Sequence, residues 1–121
     1  MLYPTAETEA KMQIKVAKTG EHMVAVISGR LDTATAQAAE EILLPLAEKG
    51  SVIADLSEVG YVSSAGLRVL LKAAKQARLI GARFALCGLH QSVLEVLEIS
   101  GFDTMMQIFP NRDAALDSAL S

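Results

Sequence analysis

Ser63 and Ser64 stand side by side in "YVSSAGLRVLL" (Tyr61–Leu71), where a strand-like stretch gives way to a run that reads as a helix. Hydroxyls at such a junction support three kinds of chemistry. A serine oxygen can accept from the free N–H groups of a first helical turn and cap it. It can act as a nucleophile if a base, usually His backed by a carboxylate, lies within reach. It can also receive a phosphoryl group, because the free amides and positive dipole end of a helix welcome an anion. A phosphate there disturbs the fold little while adding about −1.5 to −2 charges to the surface.

The nucleophile reading lacks its partners. The chain has two histidines, His22 and His90, which the sequence puts in a hairpin turn and a strand–helix loop, and no Gly-x-Ser-x-Gly elbow surrounds Ser64. Metal chemistry has no Cys/His cluster or paired-His spacing to rest on. Gly81, Gly88 and Gly101 are too far apart for a phosphate-cradling loop. Glu40–Glu41 and Glu95/Glu98 read as solvated helix faces, and Met105–Met106 as strand core. No catalytic residue, cofactor or metal is expected, and the chain does not read as an enzyme. Capping and phosphorylation remain, and they are compatible; for an arbitrary serine pair capping is the commoner role.

The elements that must position the pair follow from periodicity. "MQIKVAK" (Met12–Lys18) alternates apolar and polar residues as a half-buried strand does, Gly20 marks a turn, and "MVAVISG" (Met23–Gly29) is the hairpin partner. Asp32 and Thr33 offer an N-cap to a helix in which Ala36, Ala39, Leu43 and Leu46 share a face, with Pro45 crowding its last turn and Gly50 closing it. "SVIADLS" reads as a short central strand covered on both faces, and the "EVG" after it as a turn. The next helix begins near Ser64 and buries Leu67, Leu70, Leu71, Ala74 and Ala77, leaving Arg68, Lys72 and Lys75 as a solvated basic ridge. "RFALCG" is a further strand, Gln91–Gly101 a short helix with Val93, Leu94 and Leu97 inward, Met105–Phe109 a last strand, and "RDAALDSAL" a C-terminal helix. Val52, Ile53, Leu67, Leu70, Leu71, Phe84, Leu86 and Leu94 are expected to share one core. The order β-β-α-β-α-β-α-β-α predicts an α/β domain with a mixed, mostly parallel sheet of about five strands and four helices.

Composition is consistent with a single such domain over residues 12–121, preceded by a polar extension, residues 1–11, that reads as flexible. Of the 121 residues, 51% are hydrophobic and 21% charged, the balance of a packed core rather than a disordered chain. A net charge of −3 argues against a nucleic-acid partner. Cys87 is the only cysteine, so no intrachain disulfide can form and a reducing compartment is expected. No apolar run approaches the roughly 18 residues of a membrane span, and the N-terminal residues lack a signal-peptide core. The expectation is a cytoplasmic protein without membrane insertion.

On three stretches the chain resembles a known family. "SGRLDTATA", "VIADLSEVGYVSSAGLRVLL" and "GARFALCGLHQSVLEVLEISGFDTMMQIF" resemble a stand-alone STAS domain of the bacterial anti-sigma factor antagonist (anti-anti-sigma) type, from Met12 onward. The middle stretch is the most specific: a strand, Asp-Leu, a short turn, then Ser-x-Gly-Leu opening a helix. Counting back from Gly66 and Leu67 puts Ser64 at the family's phosphorylated position. Members often have Asp before that serine and Ser after it; here Ser63 and Ala65 stand there, which leaves Ser63 as an alternative acceptor.

The resemblance implies a partner-switching cycle. The unphosphorylated form binds an anti-sigma factor that is also a serine kinase and so releases its client; phosphorylation at Ser64 breaks the complex, and a PP2C-type metal-dependent phosphatase restores it. It also implies that "GRLD" lies beside Ser64 on the docking face, which nominates Arg30 and Asp32 for partner binding together with Ser63, Ser64, Ala65 and Arg68. Two other readings stay open: a STAS scaffold subunit of a lipid-transport ABC complex without a phosphorylation cycle, and a domain that responds to a small molecule.

Overall fold

A computed structural model of the chain describes residues 6–7 and 12–120. The strands are β1 (Ala6–Glu7), β2 (Met12–Thr19), β3 (His22–Leu31), β4 (Val52–Val62), β5 (Phe84–Cys87) and β6 (Gln107–Phe109). The helices are α1 (Ala36–Lys49), α2 (Ser64–Leu79), α3 (Gln91–Ser100) and α4 (Arg112–Leu120), with a 3-10 turn at Phe102–Thr104. From Met12 on, the order is the one the periodicity predicts. The two-residue β1 is an addition, pairing antiparallel with β2 at Ala6–Ile14 and Glu7–Gln13; the rest of residues 1–11 lie outside the described residues.

The sheet runs β1-β2-β3-β4-β5-β6 in chain order, antiparallel as far as β3 and parallel thereafter. A strand order that never reverses puts every right-handed crossover on the same side. The main core accordingly joins α1, α2 and α3 to one sheet face, with Ile14, Ile27, Leu43, Leu56, Leu70, Leu86 and Leu97 among its fully buried side chains. The other face carries a smaller cluster of Val24, Ile53, Ala85 and Cys87 under Ala115 of α4. Asp55 anchors that helix: its Oδ2 accepts from Arg112 Nη2 at 2.8 Å and its Oδ1 from Ser57 N at 2.9 Å.

Several expectations are corrected. Ile53 points to the α4 side and not into the main core. Leu94 and Leu71 are only half-buried, whereas Val93 and Leu97 are the buried residues of α3. β4 does not end in a turn after Ser57 but continues to Val62, with register shifts against β3 between Val26 and Ser28 and between Gly29 and Arg30. α1 begins at Ala36 rather than beside Asp32, and it continues through the exposed Pro45 for another turn. The last strand is shorter than expected, because Met105 closes the 3-10 turn.

Candidate functional site

β4 delivers the serine pair directly. Ser63 is extended (φ −89°, ψ 175°) and is the N-cap of α2, its Oγ accepting from Gly66 N at 3.3 Å. Its backbone is also committed, since Ser63 N donates to Leu31 O at 2.9 Å and Ser63 O accepts from Leu67 N at 2.9 Å. Ser64 is the first helical residue, is exposed, and among the described residues has no side-chain partner. The two adjacent hydroxyls are thus divided: Ser63 closes the helix and Ser64 faces solvent. The N–H groups of Ser64 and Ala65 have no intrahelical acceptor, so this end of α2 presents donors and the positive pole of its dipole.

Gly66 sets the distance between α2 and β3. A Cβ on it would lie 2.4 Å from Leu31 O and 2.9 Å from Leu31 Cγ, so a side chain cannot fit between the helix and the strand end. This close approach brings "GRLD" beside the serines, as the resemblance implies. Arg30 pairs in register with Tyr61, and its guanidinium sits 4.6 Å over the Tyr61 ring. Arg30 Nε donates to Asp32 Oδ2 at 3.2 Å.

Asp32 does not cap α1 itself; its Oδ1 caps the turn before it, accepting from Ala34 N at 3.0 Å and Thr35 N at 3.3 Å. Thr35, fully buried, locks that turn by donating from Oγ1 to Arg30 O at 2.8 Å and accepting from Asp32 N at 3.0 Å. The Arg30 hydrogen bond is the main cause that holds the Asp32 carboxyl below its ordinary range; partial burial opposes it, and the Ala34 and Thr35 amides reinforce it. Arg30 and Asp32 side chains are 59% and 21% exposed, so their pair adds little stability and chiefly fixes orientation.

The remaining nominated residues flank Ser64. Ala65 is half-buried, and Arg68, exposed, lies one helical turn further along the same side. Tyr61 was missed by the sequence reading: it is an aromatic residue 46% exposed on a strand, and its signal is the register opposite Arg30, which a single sequence does not print. Among the described residues neither histidine bonds to the serine pair. His22 starts β3, at the far end of that strand from Arg30, and His90 Nε2 lies 2.7 Å from Ser57 O. Among the described residues no group of His, Cys, Asp and Glu could hold a metal ion, and no helix is long and apolar enough to cross a membrane. A cleft of about 230 Å³ opens at the other end of α2, lined by Arg78, Arg83, Phe84, Met106 and Gln107, among others.

Residues 13–115 match the sequence profile of the STAS domain. A protein of Bordetella bronchiseptica described as a putative anti-sigma factor antagonist, BtrV, is 38% identical over 106 residues, which cover 86% of this chain and 91% of that protein. The crystal structure of an anti-sigma factor antagonist from Mycobacterium paratuberculosis superposes with a TM-score of 0.85 at 20% identity, covering 96% of this chain and all of that one (100%). The Bacillus cell-fate determinant SpoIIAA in its phosphorylated form superposes with a TM-score of 0.69 at 16% identity over 88% of this chain and 98% of that one. The structural likenesses carry the fold, and the profile match with the Bordetella relative carries the family: this chain belongs to the STAS domain family.

Proposed function

We propose that the chain is a cytoplasmic, non-enzymatic anti-sigma factor antagonist that works by partner switching. Unphosphorylated, it binds an anti-sigma factor serine kinase through Arg30, Asp32, Ser63, Ser64, Ala65 and Arg68, and so releases the kinase's client. The kinase then transfers the γ-phosphoryl group of ATP to Ser64. The Ser64 Oγ–P bond forms as the bond to the ADP leaving group breaks, and the hydroxyl proton departs to a base on the kinase. A PP2C-type metal-dependent phosphatase reverses this with water, releasing inorganic phosphate.

The observation that carries the reading is the division of labour between adjacent hydroxyls. Ser64 is exposed at the mouth of a helix and has no side-chain partner among the described residues, while Ser63 is committed to the cap. A dianion placed in an interface formed around a neutral hydroxyl costs several kcal/mol to desolvate, and each 1.4 kcal/mol is tenfold in affinity. A loss of about two to three decades on phosphorylation is expected.

The test begins by isolating the kinase from lysate of the source bacterium on immobilised Ser64→Ala protein. The same kinase should leave immobilised wild type on addition of ATP. Phosphosites are then mapped by mass spectrometry, and wild type, Ser64→Ala, Ser64→Asp and the phosphorylated form are titrated calorimetrically against the purified kinase. Ser64→Ala should bind constitutively and the phosphorylated form hardly at all. Label on Ser63 that persists in Ser64→Ala overturns the site, and equal affinities throughout overturn the switch.

A further inference from the structure

Helix α2 carries four of the chain's eleven Lys and Arg residues (Arg68, Lys72, Lys75, Arg78) and none of its fourteen Asp and Glu, on a chain of net charge −3. At 100° per residue, Ser64, Arg68, Lys72, Lys75 and Leu79 project from one side of the helix within an arc of about 80°. All five are exposed, while the buried Gly66, Leu70, Ala73 and Ala77 lie on the opposite side. The stripe spans roughly 22 Å.

Local stability does not account for these charges. Lys72 Nζ meets Glu40 Oε1 of α1 at 3.0 Å, but Arg68 and Lys75 have no ion-pair partner among the described residues. Arg78, in the last turn, suits the negative end of the helix dipole; Arg68, the fifth residue of the helix, gains nothing from it. A cation with no ion pair among the described residues and no gain from the helix, on an acidic chain and one turn from Ser64, points outward to a partner.

Resting on the partner-switching reading above, we propose that this ridge docks an acidic face of the protein partner, and that phosphate on Ser64 withdraws Arg68 from that contact. Ser64 and Arg68 are four residues apart, so their Cβ atoms lie about 5–6 Å apart and a guanidinium can reach the phosphate. The phosphate therefore acts twice. It sets negative charge against the acidic partner face, and it cancels the nearest cation that face was using. Arg30 is held differently: its Nε donates to Asp32 and its guanidinium lies over the Tyr61 ring.

Two measurements test this. The isolated kinase is titrated with unphosphorylated wild type, Arg68→Gln and Lys75→Gln at low and at high salt. Each variant should bind about three- to tenfold more weakly at low salt and approach wild type at high salt, where screening removes the advantage. Variants that bind like wild type at both salts overturn the docking surface, and so does retention of the protein by DNA or anionic vesicles in place of the kinase. The second measurement needs no partner: phosphoserine is installed at position 64 during translation and titrated by ³¹P NMR. In wild type the second phosphate ionisation should fall below that of Arg68→Gln by about half a pH unit, with Arg68→Lys between them. Superimposable curves overturn the capture by Arg68 and leave the switch standing. Phosphorylation without any effect on kinase binding overturns the switch and this inference together.

Discussion

Replacing Gly66 with Ala sets two structural forces against each other. Helix propensity alone favours Ala inside a helix by about 1 kcal/mol. The contact with β3 opposes it, since the new Cβ would lie 2.4 Å from Leu31 O and 3.1 Å from Leu31 C. These are backbone atoms at a strand end, and Leu31 is itself fully buried, so they cannot swing aside as a flexible side chain would. Relief requires the first turn of α2 to move out by most of an ångström, which strains or breaks the bond from Ser63 N to Leu31 O. Overpacking costs about 1–3 kcal/mol and a lost hydrogen bond about 0.5–1.5, so after the propensity gain a net loss of about 1–3 kcal/mol is expected. Urea unfolding followed by circular dichroism should show a lower midpoint at unchanged slope. Gly60→Ala is the control: nothing lies within 4 Å of its added Cβ, and its effect should stay within about 0.5 kcal/mol. A Gly66→Ala protein as stable as wild type would refute the argument that this glycine sets the spacing of the site.

Truncation of Leu70, fully buried under α2, to Ala should cost about 2–5 kcal/mol in the same assay, and a change under about 0.5 would mean the helix face is wrongly assigned. Ser63→Ala should cost about 0.5–1 kcal/mol, at the low end for a cap because its bond is 3.3 Å, and Ser64 should remain the residue that carries the phosphate. Burial raises the Asp55 carboxyl pKa, but hydrogen bonds from Ser57 and Arg112 outweigh it and leave the group below 3.8. Its contribution is therefore present above that pH and lost as pH falls through the lowered value. Asp55→Asn should cost about 1–2 kcal/mol at pH 7, modest because Arg112 is 45% exposed, and the gap to wild type should narrow as acid protonates the Asp55 carboxylate. Burial, with the nearby Asp55 charge, pushes the Cys87 thiol up to about 11, so thiol reagents at pH 8 should label it only as fast as the protein opens; rapid native-state labelling would contradict its burial under α4.

What the sequence discloses and what it hides have separate physical causes. α2 was legible because Leu67, Leu70, Ala74 and Ala77 repeat at helical spacing and the helix is buried on one side only. Ile53 was misplaced because Val52 to Leu56 are all buried, and an apolar run covered on both faces carries no mark of which side chain points where. The end of β4 was hidden by its register shifts: Leu56, Val59 and Val62 are buried at intervals of three, which breaks the alternation that identifies a strand. The start of α1 lay among four residues, Asp32 to Thr35, most of which can cap a helix. The choice fell to tertiary contact, because only Thr35 is buried against the strand end it bonds.

At the site itself the residues legible by type are the exposed ones, and the residues that hold them are legible only in three dimensions. Ser64, Arg30 and Arg68 are exposed and contribute few bonds to the fold, whereas their immediate neighbours Ser63, Leu31 and Leu67 are partly or fully buried and bonded or packed. The two sets interleave along the chain rather than occupying separate segments. Leu31 between Arg30 and Asp32, and Ser63 beside Ser64, are bonded to each other through their backbones, and each stands next to an exposed side chain. Under the proposed cycle this interleaving is what lets Ser64 gain nearly two negative charges without loss of the fold. The amides and dipole of α2 receive the charge, Ser63 keeps the cap, and the change is expressed at the surface that a partner would cover.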